Sequence, residues 1–234
     1  VATNGGLPTT LGTFPMINEL TINGLAGNDS IQVVGTSSAD FFSIRSPRWV
    51  INDASLFMTD IETRGINGGA ENDVYSFDAD EPLGLITLND VSGIDLISFQ
   101  EGTFGASPTA AGVAVNLSLT ASQIVHPANL NLILQPANAF EKLYGGSGSD
   151  VLTGSPVANT LIGGPGNDTI IGAGGADSLF GGTGDDTFVF NAVTSDESDY
   201  VAEYVDEGAD EITFASMSIA IFMTLNSNTA QTVH

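Results

Sequence analysis

Cysteine is absent from the 234 residues, which excludes a disulfide framework and any thiolate metal site but fixes no compartment. Positive charge is nearly as scarce. Arg45, Arg48, Arg64 and Lys142 stand against 28 Asp and Glu, a formal charge of −24. A surface of that sign repels phosphate backbones and anionic headgroups, so nucleic acid and membrane are poor partners and cations are natural ones. No stretch approaches the ~20 apolar residues of a membrane span, and the opening VATNGGLPTT lacks the basic and apolar regions of a secretory signal. The first residue is Val rather than Met, as expected of a processed or excised piece whose targeting signal lies outside it. Catalytic signatures are missing too: there is no H-E-x-x-H, no G-x-S-x-G and no G-x-x-x-x-G-K-[ST]. His126 and His234 are the only histidines and end equivalent segments, LSLTASQIVH and LNSNTAQTVH, which favours a structural role. Trp49 is alone and reads as a packing residue. The chain is not expected to be an enzyme.

What is present is periodic. Apolar residues make up 42% of the chain, ample for a core. From Gly145, five consecutive blocks of nine read GGSGSDVLT, GSPVANTLI, GGPGNDTII, GAGGADSLF and GGTGDDTFV. Position one is always glycine (Gly145, Gly154, Gly163, Gly172, Gly181). Position six is Asp150, Asn159, Asp168, Asp177 or Asp186, and position eight is Leu152, Leu161, Ile170, Leu179 or Phe188. A flexible linker has no reason to hold a large apolar column in phase.

Each block makes physical sense as a turn followed by a short strand. Glycines at positions one, two and four permit positive φ and close backbone approach, and the middle residue of the strand points into the core. Two blocks complete a coil of eighteen residues, so alternate blocks stack. Stacked position-six carboxylates lie about 5 Å apart, where two charges repel by ~1 kcal/mol in water and ~3 kcal/mol at an effective dielectric of ~20. Such a row needs a cation. Oxygen donors without His or Cys suit Ca²⁺, which takes 6–8 of them in flexible geometry.

The blocks resemble the RTX, or hemolysin-type, repeat G-G-x-G-x-D-x-U-x, which binds Ca²⁺. The resemblance is strict over residues 145–189. It implies an all-β fold, a right-handed parallel β-roll or β-helix solenoid, with Ca²⁺ held between stacked turns by aspartates and turn carbonyls. The metal residues it implies are Gly145, Gly146, Gly148 and Asp150, then Gly163, Gly164, Gly166 and Asp168, then Gly181, Gly182, Gly184 and Asp186, with Asp177 on the opposite row. The first row is expected to hold one ion between each adjacent pair of turns. The opposite row, with Val157 for the fourth-position glycine and Asn159 for aspartate, is expected to bind weakly.

Degenerate copies start at Gly24, Gly35, Gly68 and Asp90 and keep Asp29, Asp40, Asp73 and Asp95 at position six. Their starts at 24, 68 and 90 differ by 44 and 22, which predicts coils of about 22 residues and strands at LTINGL, SIQVVG, DFFSI, VYSF and LITL. An Asp in a tight turn more often caps its own backbone than binds metal, so calcium at these four stays open. DLISF at 95–99 recurs as DEITF at 210–214, with about seven extra residues around 104–111 in the first copy. The expected organisation is an irregular β-helix over 1–100, a connecting β module over 101–144, the RTX roll over 145–190 and the start of a truncated further module over 191–234.

The resemblance implies a fragment of a large secreted or cell-surface bacterial protein, with a structural or adhesive role. The alternatives are a folding and secretion module of a secreted enzyme whose catalytic domain is absent, or a self-assembling surface-layer or filament subunit. Expected partners are calcium ions, neighbouring modules or copies of the chain, and cell-surface polymers. A lyase-like β-helix enzyme is disfavoured, because no motif surrounds any of the four basic residues.

Overall fold

The computed structural model describes residues 19–24, 28–100, 109–191, 198–202 and 208–215. Among them the regular structure is strand throughout, and the strands fall into three sheets. The longest sheet carries β1 (Glu19–Asn23), β5 (Ala54–Thr59), β4 (Arg48–Ile51), β3 (Phe41–Ile44), β7 (Val74–Phe77), β9 (Leu96–Ser98), β13 (Lys142–Tyr144), β15 (Thr160–Pro165), β17 (Ser178–Thr183) and β19 (Tyr200–Ala202), in that spatial order. A second sheet runs β11 (Gln123–His126), β12 (Leu130–Gln135), β8 (Gly84–Asn89), β6 (Thr63–Asn67) and β2 (Ser30–Val34). A third runs β10 (Ala114–Asn116), β14 (Val151–Thr153), β16 (Thr169–Ile171), β18 (Thr187–Asn191) and β20 (Glu211–Ala215). The chain therefore alternates between the long sheet and the second sheet upstream, and between the long sheet and the third downstream. This is a solenoid of mostly parallel strands, as the periodicity predicts.

In the nonapeptides the step between paired strands is eighteen residues: Val151 pairs with Thr169, and Thr160 with Ser178. Alternate blocks stack in register, as expected. The position-eight column forms the core, with Leu152, Leu161, Ile170 and Leu179 at 0% exposure and Phe188 at 1%. Fully burying each such side chain contributes about 1.5–3 kcal/mol. The upstream copies place Phe42, Tyr75 and Ile97 in the same buried column. Phe42 and Tyr75 stack with ring centroids 5.1 Å apart, and Phe140 meets Tyr75 edge-on.

The upstream strands form where expected, but the spacing differs. Val74 pairs with Leu96 and Arg64 with Ile86, steps of 22; Phe41 pairs with Val74 and Ser30 with Thr63, steps of 33. The offset of 44 is no stacking distance, because the turn at Asp29 feeds β2 in the second sheet and the turn at Asp73 feeds β7 in the long one. The longer coil arises from an antiparallel meander, β3–β4–β5, inserted at the edge. Asn52 and Asp53, both at positive φ (45° and 73°), form its two-residue turn, the geometry that matches strand twist in tight hairpins.

DLISF and DEITF both follow an aspartate into a strand, but β9 lies in the long sheet and β20 in the third. His126 ends β11, where its carbonyl accepts the Asn129 N–H at 3.2 Å. The matching segment 225–234 with His234, and most of the extra stretch at 104–111, lie outside the described residues.

Candidate metal centre

The position-six residues form a hydrogen-bonded ladder. The Asp150 N–H donates to Asp168 Oδ1 at 2.7 Å, the Asp168 N–H to Asp186 Oδ1 at 2.7 Å, and the Asp186 N–H to Asp210 Oδ1 at 3.0 Å. Asp150 Oδ1 accepts the Val113 N–H at 2.7 Å. One oxygen of each carboxylate thus bonds the neighbouring coil. The second oxygen has a different fate: Asp150 Oδ2 accepts the Gly146 N–H at 2.6 Å, whereas Asp168 Oδ2 and Asp186 Oδ2 are buried without a hydrogen-bond partner.

Three carboxylates in a buried file repel one another. Burial pushes Asp150 up to about 6 and Asp168 up to about 7, the latter helped by the charges of Asp150 and Asp186. Asp186 is raised as well, by burial and then by Asp210 and Asp185. Both effects disfavour the ionised form and would be relieved by a cation.

The glycines explain how the carboxylates fit. A Cβ at Gly145 would collide with Asp150 Oδ2 and the Gly163 carbonyl, and one at Gly163 with Asp168 Oδ2 and the Gly181 carbonyl. Position one is therefore glycine for room, since neither Gly145 nor Gly163 takes positive φ. Positive φ belongs to positions two and four of the third, fourth and fifth blocks: Gly164 and Gly166 (109° and 135°), Ala173 and Gly175 (74° and 107°), and Gly182 and Gly184 (114° and 122°). Gly146 and Gly148 take ordinary φ, and their turn packs under residues 109–112 rather than under another nonapeptide. The donor set fits a hard cation: carboxylate and carbonyl oxygens only, two buried carboxylate oxygens lacking partners, and at position one a cradle that a Cβ would fill.

The opposite ladder is longer. It runs from Asp40 to Asp73 (2.7 Å), Asp95 (2.8 Å) and Glu141 (3.0 Å), and again from Asn159 to Asp177 (2.7 Å) and Asp199 (2.9 Å). Asn159 is satisfied internally: its Oδ1 accepts the Ser155 N–H and hydroxyl, and its Nδ2 donates to the Phe140 carbonyl. Asp40 is similar, with Oδ2 capping the Thr36 N–H and Oδ1 accepting from Asn52 Nδ2. Asp29 stands apart, its N–H donating to Glu62 Oε2. Glu141 and Asp199 are rungs that the nonapeptide pattern does not reach, because no glycine lies five residues before them, whereas Asp210 is the rung that the match of DEITF to DLISF aligns with Asp95.

A second, outer ladder uses position five. The Asn167 N–H donates to Ser149 Oγ, the Asp185 N–H to Asn167 Oδ1 and the Ala209 N–H to Asp185 Oδ1. Here the downstream coil donates, whereas in the inner ladder the upstream coil does. Along this row the junctions between the turns of residues 149, 167, 185 and 209 are strapped in both directions.

The family of the RTX calcium-binding nonapeptide repeat (4 copies) matches residues 140–156 and 153–188. The chain carries RTX repeats. Those repeats bind Ca²⁺, and the matched residues coincide with the stacked turns of β13 to β18. RTX repeats are structural calcium-binding modules, typically of secreted bacterial proteins. No curated protein matches the chain.

Proposed function

We propose that the chain is a calcium-stabilised structural module of a large extracellular bacterial protein, with an adhesive role carried by its acidic solenoid surface. The observation that carries this reading is the buried ladder Asp150–Asp168–Asp186, in which Asp168 Oδ2 and Asp186 Oδ2 lack a partner and Asp168 Oδ2 lies with the Gly181 carbonyl beside a space at Gly163 that only glycine leaves clear. One ion sits between the turns of Asp150 and Asp168, another between those of Asp168 and Asp186. The glycines of those turns supply carbonyls and space. On the opposite row Asn159 spends its amide on internal hydrogen bonds, which leaves Asp177 as that row's weaker contribution.

Extracellular calcium sites of this kind bind at about 10⁻⁴–10⁻³ M. A tenfold excess of ligand over its dissociation constant stabilises the folded state by about 1.4 kcal/mol per site. The chain therefore gains order outside a cell and loses it where calcium is scarce. Calcium titration followed by circular dichroism and thermal melting tests this: β signal and melting temperature should both rise through the millimolar range. A chain whose spectrum and melting are indifferent to calcium would sink the reading. The adhesive part is tested separately, by calcium-dependent retention of the chain on purified cell-surface polymers.

A further inference from the structure

Of the nine copies whose starts are named above, all open on glycine except one, where position one is Asp90. Its backbone holds the usual place: the Asp90 N–H donates to the Gln135 carbonyl at 2.9 Å, as the Gly68 N–H does to Asn89. Its side chain enters the space that glycine keeps open elsewhere. There it meets Asp73 and Asp95, and one oxygen from each of the three lies within 4.8 Å of the other two. All three residues are at most 1% exposed.

Their hydrogen bonding leaves oxygens over. Asp73 Oδ1 and Asp95 Oδ1 serve the ladder, while Asp73 Oδ2 and Asp95 Oδ2 are buried without a partner. Asp90 Oδ1 accepts the Val91 N–H, and Asp90 Oδ2 accepts the Tyr75 hydroxyl at 2.5 Å. A Cβ on Gly68 would strike Tyr75 Oη, Asp73 Oδ2 and Asp90 Oδ2 together, so these oxygens converge on one point. Asp40, Glu71 and Glu141 add negative charge around it.

We propose that Asp73, Asp90 and Asp95 form a separate calcium site, outside the nonapeptide row, with the Tyr75 hydroxyl orienting Asp90. Three carboxylates at one buried point carry enough charge to bind a divalent cation. An all-oxygen set of irregular geometry favours calcium over magnesium, which demands a near-regular octahedron. Calcium binding here would lock the coils of β7 and β9 together, as it does for the turns of residues 145–189.

Calcium titration calorimetry on the full chain, with Asp90→Asn and Asp168→Asn as separate variants, tests the site. Asp90→Asn should lower the stoichiometry by one ion and leave the ions sensitive to Asp168→Asn in place. In chelator Asp90→Asn should melt at or above the unaltered chain, and in calcium below it. An unchanged stoichiometry overturns the inference and makes the trio a proton-sharing cluster; calcium lost only on Asp168→Asn does so too, while leaving the proposed function intact. Should Asp90→Asn fail to fold, Tyr75→Phe keeps all three carboxylates. Terbium emission sensitised through tyrosine should then lose the share that Tyr75 supplies, leaving that of Tyr144 beside the nonapeptide turns, and equal emission would overturn the site.

Discussion

Asp168 sits in the middle of its row and gives one oxygen to the upstream coil while the other stays without a partner. Substituting Asn keeps an Oδ1 acceptor for the Asp150 N–H and removes only the charge. Asp168→Asn should therefore melt no lower than the unaltered chain in chelator, because a buried charge is relieved. In calcium it should lose most of the calcium-induced rise in melting temperature. Asp150→Asn and Asp186→Asn, each bordering one of the two proposed sites, should lose about half, and paired melts with and without calcium check the difference. Gly163→Ala acts through space instead: its Cβ would meet Asp168 Oδ2 and the Gly181 carbonyl, and only the first can move easily. Overpacking of that kind costs about 1–3 kcal/mol, which urea denaturation in calcium would read as a lower midpoint.

At the level of the strand, burial separates positions that look alike in composition. Leu161→Ala removes a side chain at 0% exposure from the middle of β15 and should cost about 2–5 kcal/mol. Val151→Ala, in β14 at 43% exposure, should stay within about 0.5 kcal/mol; denaturation of the two variants side by side checks the contrast. That alternation was legible in the sequence because each column of the nonapeptide answers one demand: room at position one, a coil-to-coil acceptor at position six, core at position eight. The eighteen-residue stacking followed from it. The meander did not, although its signal was present, since Asn52-Asp53 between two apolar runs is a tight-turn pair; the apparent period of 44 hid it by aligning turns that feed different sheets. Glu141 and Asp199 were illegible for another reason. A rung needs only a side-chain acceptor just before a strand, so a search anchored on glycine passes over them. Asp90 was seen as a degenerate first position, but its meeting with Asp73 and Asp95 depends on how coils stack in space.

Across the whole molecule the acidic surplus makes metal and proton compete. Burial raises Asp73 and Asp150 to about 6 and Asp95 and Asp168 to about 7, whereas the unfolded chain titrates near the usual ~4. Between those values the folded state holds more protons, so stability is full below about pH 4 and falls as pH rises to about 7. The metal-free chain should accordingly melt higher at pH ~5 than at pH ~8. Calcium should reverse the order, because its ligands must be ionised, and melts in chelator and in calcium at both pH values check the sign. Added salt should also raise the metal-free melting temperature, by screening a net charge of −24. The long sheet has a mechanical consequence. It runs from β1 to β19, and its hydrogen bonds lie along the solenoid axis. Tension between the two ends would load the rungs in series and peel one coil at a time. Each coil of eighteen residues would release about 60 Å of chain, with its bound ions breaking first and re-forming when the load drops. As part of a surface tether, such a segment would yield in small reversible steps and absorb shock without detaching.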